Sequence, residues 1–177
     1  MRILFALAAV PLIASAAQAA SDPNAYLEDV EGPAAIAQVK AWNAETLKVL
    51  TATPGFDANR TRARARLGDD KRIATPDAVQ GGQVLNLWRD AANPRGLWRS
   101  APLEGFKAGT PAWRVLIDVD ALGKAEGKSW VWGGATCLAP AYTRCMVALA
   151  DGGTDAEVWR EFDVTTAQFV KGGLALP

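Results

Sequence analysis

The sequence predicts a mainly β fold that is preceded by helices. Between residues 33 and 51 the apolar residues recur with the spacing of a helix. After Asp77 the pattern changes to short apolar runs divided by turn residues. We expect two helices and then about seven strands, with turn signals every 8–12 residues or so, which is typical of a sandwich, barrel or propeller.

Residues 1–19 have the three-part pattern of a secretory signal peptide. Arg2 supplies the positive charge, residues 3–14 are apolar, and Ala17-Gln18-Ala19 forms a small-residue cleavage site. The apolar run is too short to cross ~30 Å of hydrocarbon, which takes about 20 residues. We therefore expect export to a periplasm or to the outside, and no membrane span.

The first helix is predicted over residues 33–51. Pro33 suits a first helical position, because the backbone donor that proline lacks would be unpaired there. Thr53-Pro54-Gly55 ends the pattern. One side of this helix is apolar and carries Ile36, Val39, Leu47 and Leu50.

The second helix, over 57–67, is rich in arginine. Because its arginines are two residues apart, their charge spreads around the helix and forms no single basic face. Lysine plus arginine equal aspartate plus glutamate at 19 each, so a nucleic-acid partner is not expected. Just after the helix, Lys71 and Arg72 are expected to pair with Asp69 and Asp70 at the surface.

The strands are predicted from period-two alternation and from the turns between them. A longer hairpin loop is expected at 90–96 and a glycine-rich turn at 151–155. A short helix is expected over 121–126. The predicted strands are 84–88, 97–99, 115–119, 129–132, 143–149, 157–162 and one that begins at Phe169.

Cys137 and Cys145 are the two cysteines, and we take them as a candidate disulfide. In an oxidising compartment a close pair is more often bonded than metal-ligating, since zinc takes four ligands and the chain has no histidine. A redox-active pair is the alternative, but the sequence lacks the Cys-x-x-Cys turn that lowers a thiol pKa. No metal site and no cofactor site is predicted.

Asp118 and Asp120 are two residues apart at the end of a predicted strand. They could pair as a general acid and base. Aspartates before a helical turn more often bond to nearby backbone, and we favour that interpretation. No catalytic residue is therefore predicted.

Several segments, in this order along the chain, resemble the prolyl oligopeptidase family of serine peptidases. The resemblance begins at Asp22-Pro23, continues through a tryptophan-containing helix, and includes the predicted hairpins. The segments are DPNAYLED (22–29), VKAWNAETL (39–47), LWRD (87–90), NPRGLWR (93–99), LIDVDAL (116–122) and RCMVAL (144–149).

The resemblance implies a helical arm over 20–77 and a partial β-propeller of one to two blades over 78–177. In that family the arm and propeller cover a C-terminal α/β-hydrolase domain and restrict the access of large substrates. The family's chemistry needs a Ser-His-Asp triad, and this chain has neither histidine nor a Gly-x-Ser-x-Gly elbow. No catalytic residue is carried over, and the chain is expected to be inactive alone.

Two functions follow as hypotheses. The first is the non-catalytic N-terminal portion of a prolyl-oligopeptidase-like serine endopeptidase, in which the propeller controls substrate access. Its partners would be the hydrolase part, peptides in an intact relative, or a second copy joined through open strand edges. The alternative is a free-standing exported β-domain that binds a peptide, a glycan or a protein.

Overall fold

The structure, a computed structural model, describes residues 22–177. The predicted signal peptide, 1–19, lies outside the described residues. The chain forms two compact units, divided after Phe56. Helices come first and strands dominate afterwards, which confirms the predicted fold class. The predicted division between arm and propeller at residue 77 stays a prediction.

The first unit contains a short 3₁₀ helix, Ala25–Glu28, and helix α1, Pro33–Thr51. Helix α1 has the predicted bounds. Pro33 lies at its start, where the backbone N–H that proline lacks would have no partner within the helix. Ala35 is the one residue of α1 that is buried. The apolar side predicted from the sequence is therefore largely uncovered.

Helix α2, Phe56–Leu67, has its first residue in the first unit and the rest in the second, and it buries none of its residues. The surface ion pairs predicted just after α2 are wrong: within residues 22–177, Lys71 and Arg72 form no ion pair with Asp69 or Asp70. The Arg72 guanidinium lies over the Trp88 ring, 5.2 Å from its centroid, and its Nε donates to the Asp69 carbonyl oxygen at 3.0 Å. The Lys71 backbone N–H donates to Asp69 Oδ1 at 2.9 Å.

The first sheet has four antiparallel strands in chain order. The sequence did not predict strand Ala78–Gln80 or helix Leu103–Lys107, because both are too short to show a period. The elements are β1 (Ala78–Gln80), β2 (Gln83–Trp88), β3 (Leu97–Pro102), α3 (Leu103–Lys107) and β4 (Arg114–Asp118).

Helix α4, Val119–Glu126, connects the first sheet to the second. Gly127 ends α4 with φ of 64°, the left-handed conformation that glycine adopts without strain. The second sheet is antiparallel, with four strands in chain order and a short further strand, Ala175–Leu176, that also pairs with the third of them. Its strands are β5 (Trp130–Cys137), β6 (Arg144–Asp151), β7 (Glu157–Asp163), β8 (Gln168–Phe169) and β9 (Ala175–Leu176).

The core lies where the two sheets pack against each other. Trp98 of β3 is 2% exposed, and its ring lies 5.2 Å from that of Trp132 on β5 and 5.5 Å from that of Phe162 on β7. On β6, Val147 and Leu149 are fully buried beneath the same cluster. The two sheets thus share one hydrophobic core.

Candidate functional site

Cys137 and Cys145 lie directly opposite each other, at the end of β5 and the beginning of β6. Their sulfur atoms are bonded in the structure. Cys145 is 2% exposed and belongs to the shared core. The antiparallel register therefore brings the candidate disulfide residues together.

Asp118 and Asp120 serve two different backbone contacts. The Asp118 carboxylate accepts a hydrogen bond from the Ala121 N–H at 2.9 Å and so caps α4. Asp120 Oδ2 accepts from the N–H groups of Arg95 and Gly96, at 2.9 and 3.3 Å. Both carboxylates therefore accept hydrogen bonds from backbone amides, which is the interpretation that the sequence favoured over an acid–base pair.

Within residues 22–177 no group of three histidine, cysteine or acidic side chains is placed to hold a metal ion. In the same range no helix is long and apolar enough to cross a bilayer.

Three aspartates organise loops and strand ends in the second unit, and the pKa of each lies below its ordinary range. For Asp90 the first cause is a hydrogen bond from Trp88 Nε1 at 2.8 Å, followed by bonds from Asn93. For Asp151 the first cause is Lys128, whose Nζ lies 2.9 Å from Oδ2.

The third, Asp163, accepts hydrogen bonds from the backbone N–H groups of Thr166 and Thr165, at 3.1 and 2.8 Å. The bond from Thr166 is the largest cause of its lowered pKa. These bonds fix the turn that joins β7 to β8. Ionised carboxylates therefore stabilise a loop of the first sheet and turns and strand ends of the second.

We expect the second unit to lose stability in acid. Because the folded pKa values of these aspartates are lowered, their contribution is fully present above the ordinary carboxyl pKa of about 3.9 and is lost as the pH falls through the folded values. The measurement is the melting temperature from pH 7 down to about pH 2. Asp163→Asn should flatten this dependence, and an identical slope for the variant would contradict the assignment.

The first uncovered surface is the arm face, which we define as the apolar side of α1. Neighbouring members of the set are three, three, five and three residues apart, so at 3.6 residues per turn they form one stripe along the helix. They are between 39% and 56% exposed, although apolar stripes of this kind are normally buried. The arm face consists of Ile36, Val39, Trp42, Leu47 and Leu50.

The second uncovered surface is the sheet-end groove, at the end of the second sheet. It is a cavity of about 440 Å³ beside the disulfide. Arg144 lies at its edge, 3.5 Å from Glu161 and 3.3 Å from Asp163. Its apolar lining includes Leu138, Met146 and Leu174. Like the arm face, this groove is an apolar surface that a further polypeptide could cover.

The sequence resembles known peptidases along almost its whole length. Residues 14–176 match the sequence model of the prolyl oligopeptidase N-terminal β-propeller domain. An uncharacterized peptidase of Sinorhizobium fredii (strain NBRC 101917 / NGR234) is 43% identical over 162 residues, which are 92% of this chain and 22% of the relative. An uncharacterized peptidase of Rickettsia prowazekii (strain Madrid E) is 30% identical over 148 residues, 84% of this chain and 20% of the relative. This chain thus spans about a fifth of their length.

Solved structures show the same architecture. A post-proline cleaving enzyme from Rickettsia typhi superimposes with a TM-score of 0.76 and 30% identity, over 85% of this chain and 22% of that one. A structure from a study of two prolyl endopeptidases gives a TM-score of 0.58 at 19% identity, over 85% and 21% of the two chains, and supports the fold alone.

Proposed function

Because this chain belongs to the prolyl oligopeptidase family and matches its N-terminal β-propeller domain, we propose that it gates substrate access in a post-proline-cleaving peptidase. The observation that carries the proposal is the family match over residues 14–176. The solved relative that is 30% identical is named as a post-proline cleaving enzyme, which supports this choice of activity. The family match also favours this function over a free-standing binding domain.

The proposed role is a mechanical one. The described part of the chain presents two antiparallel sheets with a common core, and these would limit the size of the peptide that reaches the hydrolytic centre. The chain has no histidine, so it offers no imidazole to take the proton of a nucleophilic serine. Hydrolysis would therefore depend on residues supplied by the rest of such a peptidase.

The arm face is proposed as the contact with that remaining part. Five apolar side chains, at least 39% exposed, cover one side of α1, and burying such a stripe is a main source of helix stability. The curated relatives are nearly five times as long as the matched region, so they contain further polypeptide that can cover it. We propose that the α/β-hydrolase part covers the arm face. When that part is absent, the chain would self-associate through the same face.

We expect the purified chain to show no hydrolysis of a chromogenic prolyl peptide. The chain should co-elute with the part of the Sinorhizobium fredii peptidase that lies outside the match. Leu47→Asp places a charge on the arm face and should weaken that association about ten-fold or more, because a carboxylate would have to be desolvated. Size-exclusion chromatography and a binding titration measure the association.

The matched control is Ala41→Asp, which introduces the same side chain into the same helix but on its opposite, exposed side. It should leave the association unchanged. Turnover by the purified chain alone would overturn the non-catalytic role. Equal loss of binding in both variants would overturn the assignment of the arm face.

Export is proposed mainly from the sequence of residues 1–19. A charged start, an apolar stretch and a small-residue cleavage site are the features that the secretory machinery recognises. An oxidising destination would also suit the bond between Cys137 and Cys145. The N-terminal sequence of the mature protein would identify the cleavage position.

A further inference from the structure

The outer face of the first sheet holds an arginine between two indole rings. On β3, Trp98 points into the shared core, so Arg99 lies on the opposite face. Its guanidinium carbon is 4.4 Å from the ring centroid of Trp88 and 4.3 Å from that of Trp113. Trp88 comes from β2 and Trp113 from the segment before β4, so the rings approach from opposite sides of β3.

A buried asparagine orients this guanidinium. Asn86 is 3% exposed and lies directly opposite Arg99 in the sheet. Its Nδ2 donates to the Thr75 carbonyl oxygen at 2.7 Å, which fixes the amide so that Oδ1 accepts from Arg99 Nε at 2.9 Å. Because Nε is bound here, the opposite edge of the planar group, Nη1 and Nη2, is left for another partner.

Within residues 22–177, no hydrogen bond or ion pair occupies these two Nη groups. The carboxylate that acts on Arg99 through its charge is Asp90. Both Asp90 oxygens are engaged elsewhere, Oδ2 by Trp88 Nε1 at 2.8 Å and Oδ1 by the Asn93 N–H at 2.8 Å. Partial burial lowers the pKa of Arg99, and the charge of Asp90 acts in the opposite direction.

The Arg99 guanidinium and the two indole rings beside it favour a carboxylate as the ligand. Two parallel N–H groups match the two oxygens of a carboxylate, and the rings beside them hold the arginine fork in one plane. Arg72, over the Trp88 ring, adds a second positive charge. Asp90 repels, and the two arginines attract, a doubly charged phosphate more strongly than a singly charged carboxylate, so the planar match between the arginine fork and a carboxylate carries the choice.

We propose that Arg99, Trp88 and Trp113 form a binding site for an aspartate or glutamate side chain of a polypeptide segment packed on the outer face of the first sheet. A side chain is favoured over a chain terminus because the elements that pack on a sheet face meet it with their side chains. This site does not depend on the arm face or on the proposed peptidase role.

The test titrates the chain with acetyl-Gly-Asp-Gly-amide and follows the indole N–H signals by NMR. We expect a saturable shift at the indoles of Trp88 and Trp113 that weakens with added salt. The matched peptide acetyl-Gly-Asn-Gly-amide has the same shape without the charge and should bind about ten-fold more weakly or worse. Acetyl-Gly-Gly-Gly with a free terminus, and inorganic phosphate, serve as the competing sources of an anion.

Two substitutions of Arg99 separate charge from shape. Arg99→Met keeps an apolar stem between the rings and removes the fork, so binding should fall about ten-fold or more. Arg99→Lys keeps the charge but loses the paired donors and should have an intermediate effect. The control, Arg66→Met on the exposed helix α2, should bind like the unchanged chain.

Equal binding of the two tripeptides to the unchanged chain would overturn the proposal. So would full binding by Arg99→Met, or tighter binding of phosphate or of the free terminus than of the aspartate peptide. If Arg99→Met fails to fold, two measurements still test the proposal. One is the comparison of the two peptides on the unchanged chain, and the other is the binding of the aspartate peptide by Arg99→Lys.

Discussion

Trp98→Ala is expected to lower the free energy of unfolding of the second unit by about 3–5 kcal/mol. Trp98 is 2% exposed, and its ring contacts Trp132 and Phe162 of the opposite sheet. Its loss would open a cavity between the two sheets, where the surrounding strands are held by their own hydrogen bonds and cannot close the space. Since domains have only about 5–15 kcal/mol of stability, this variant should lie near the limit of folding.

Urea unfolding followed by circular dichroism measures this effect. The control is Trp42→Ala in the first unit, where the side chain is 51% exposed and the expected loss is about 0.5 kcal/mol or less. Should Trp98→Ala fail to fold, Trp98→Phe retains a ring and should show a smaller but measurable loss. Equal losses for Trp98→Ala and Trp42→Ala would refute a core shared by the two sheets.

Removal of the Cys137–Cys145 bond is expected to cost about 2.5 kcal/mol of unfolding free energy. The bond closes a short loop, with the two cysteines eight positions apart, and so restricts the unfolded chain. It also joins the end of β5 to the beginning of β6, beside the sheet-end groove. The variant Cys137→Ala/Cys145→Ala avoids leaving a polar group in the core position of Cys145.

Two measurements check this prediction. Mass spectrometry of the alkylated, unreduced protein should show neither thiol modified, and alkylation of both thiols would reject the disulfide. Urea unfolding should then show the loss of stability after reduction and a similar loss for the double alanine variant. Reductant added to the double variant is the control and should change nothing further.

The sequence by itself determined the elements whose signals are local. Helix α1 was predicted to the residue because Pro33 marks its start, Thr53-Pro54-Gly55 marks its end, and the apolar period runs between them. The hairpin joining β6 and β7 was likewise predicted from alternation and from Asp151-Gly152-Gly153. In these segments each residue's preference depends mainly on its neighbours in the chain.

Strand β5 shows where local signals were insufficient. The sequence predicted residues 129–132, whereas the strand extends to Cys137. Gly133 and Gly134 interrupt the alternation, and the register shifts at this point. Pairing with β6 carries the strand past the glycines, and that pairing is a long-range contact. Strand β1 and strand β9 are similar cases, since each is defined by its partner strand.

The order of the motifs along the chain was enough to indicate the family, and the absence of histidine was enough to deny the chain a triad of its own. Only the tertiary structure placed Arg72, Trp88, Arg99 and Trp113 in one stack and joined Cys137 to Cys145. The physical reason is that composition and period are properties of neighbouring residues. The contacts in the stack arise from strand register and from which face of a sheet each side chain takes.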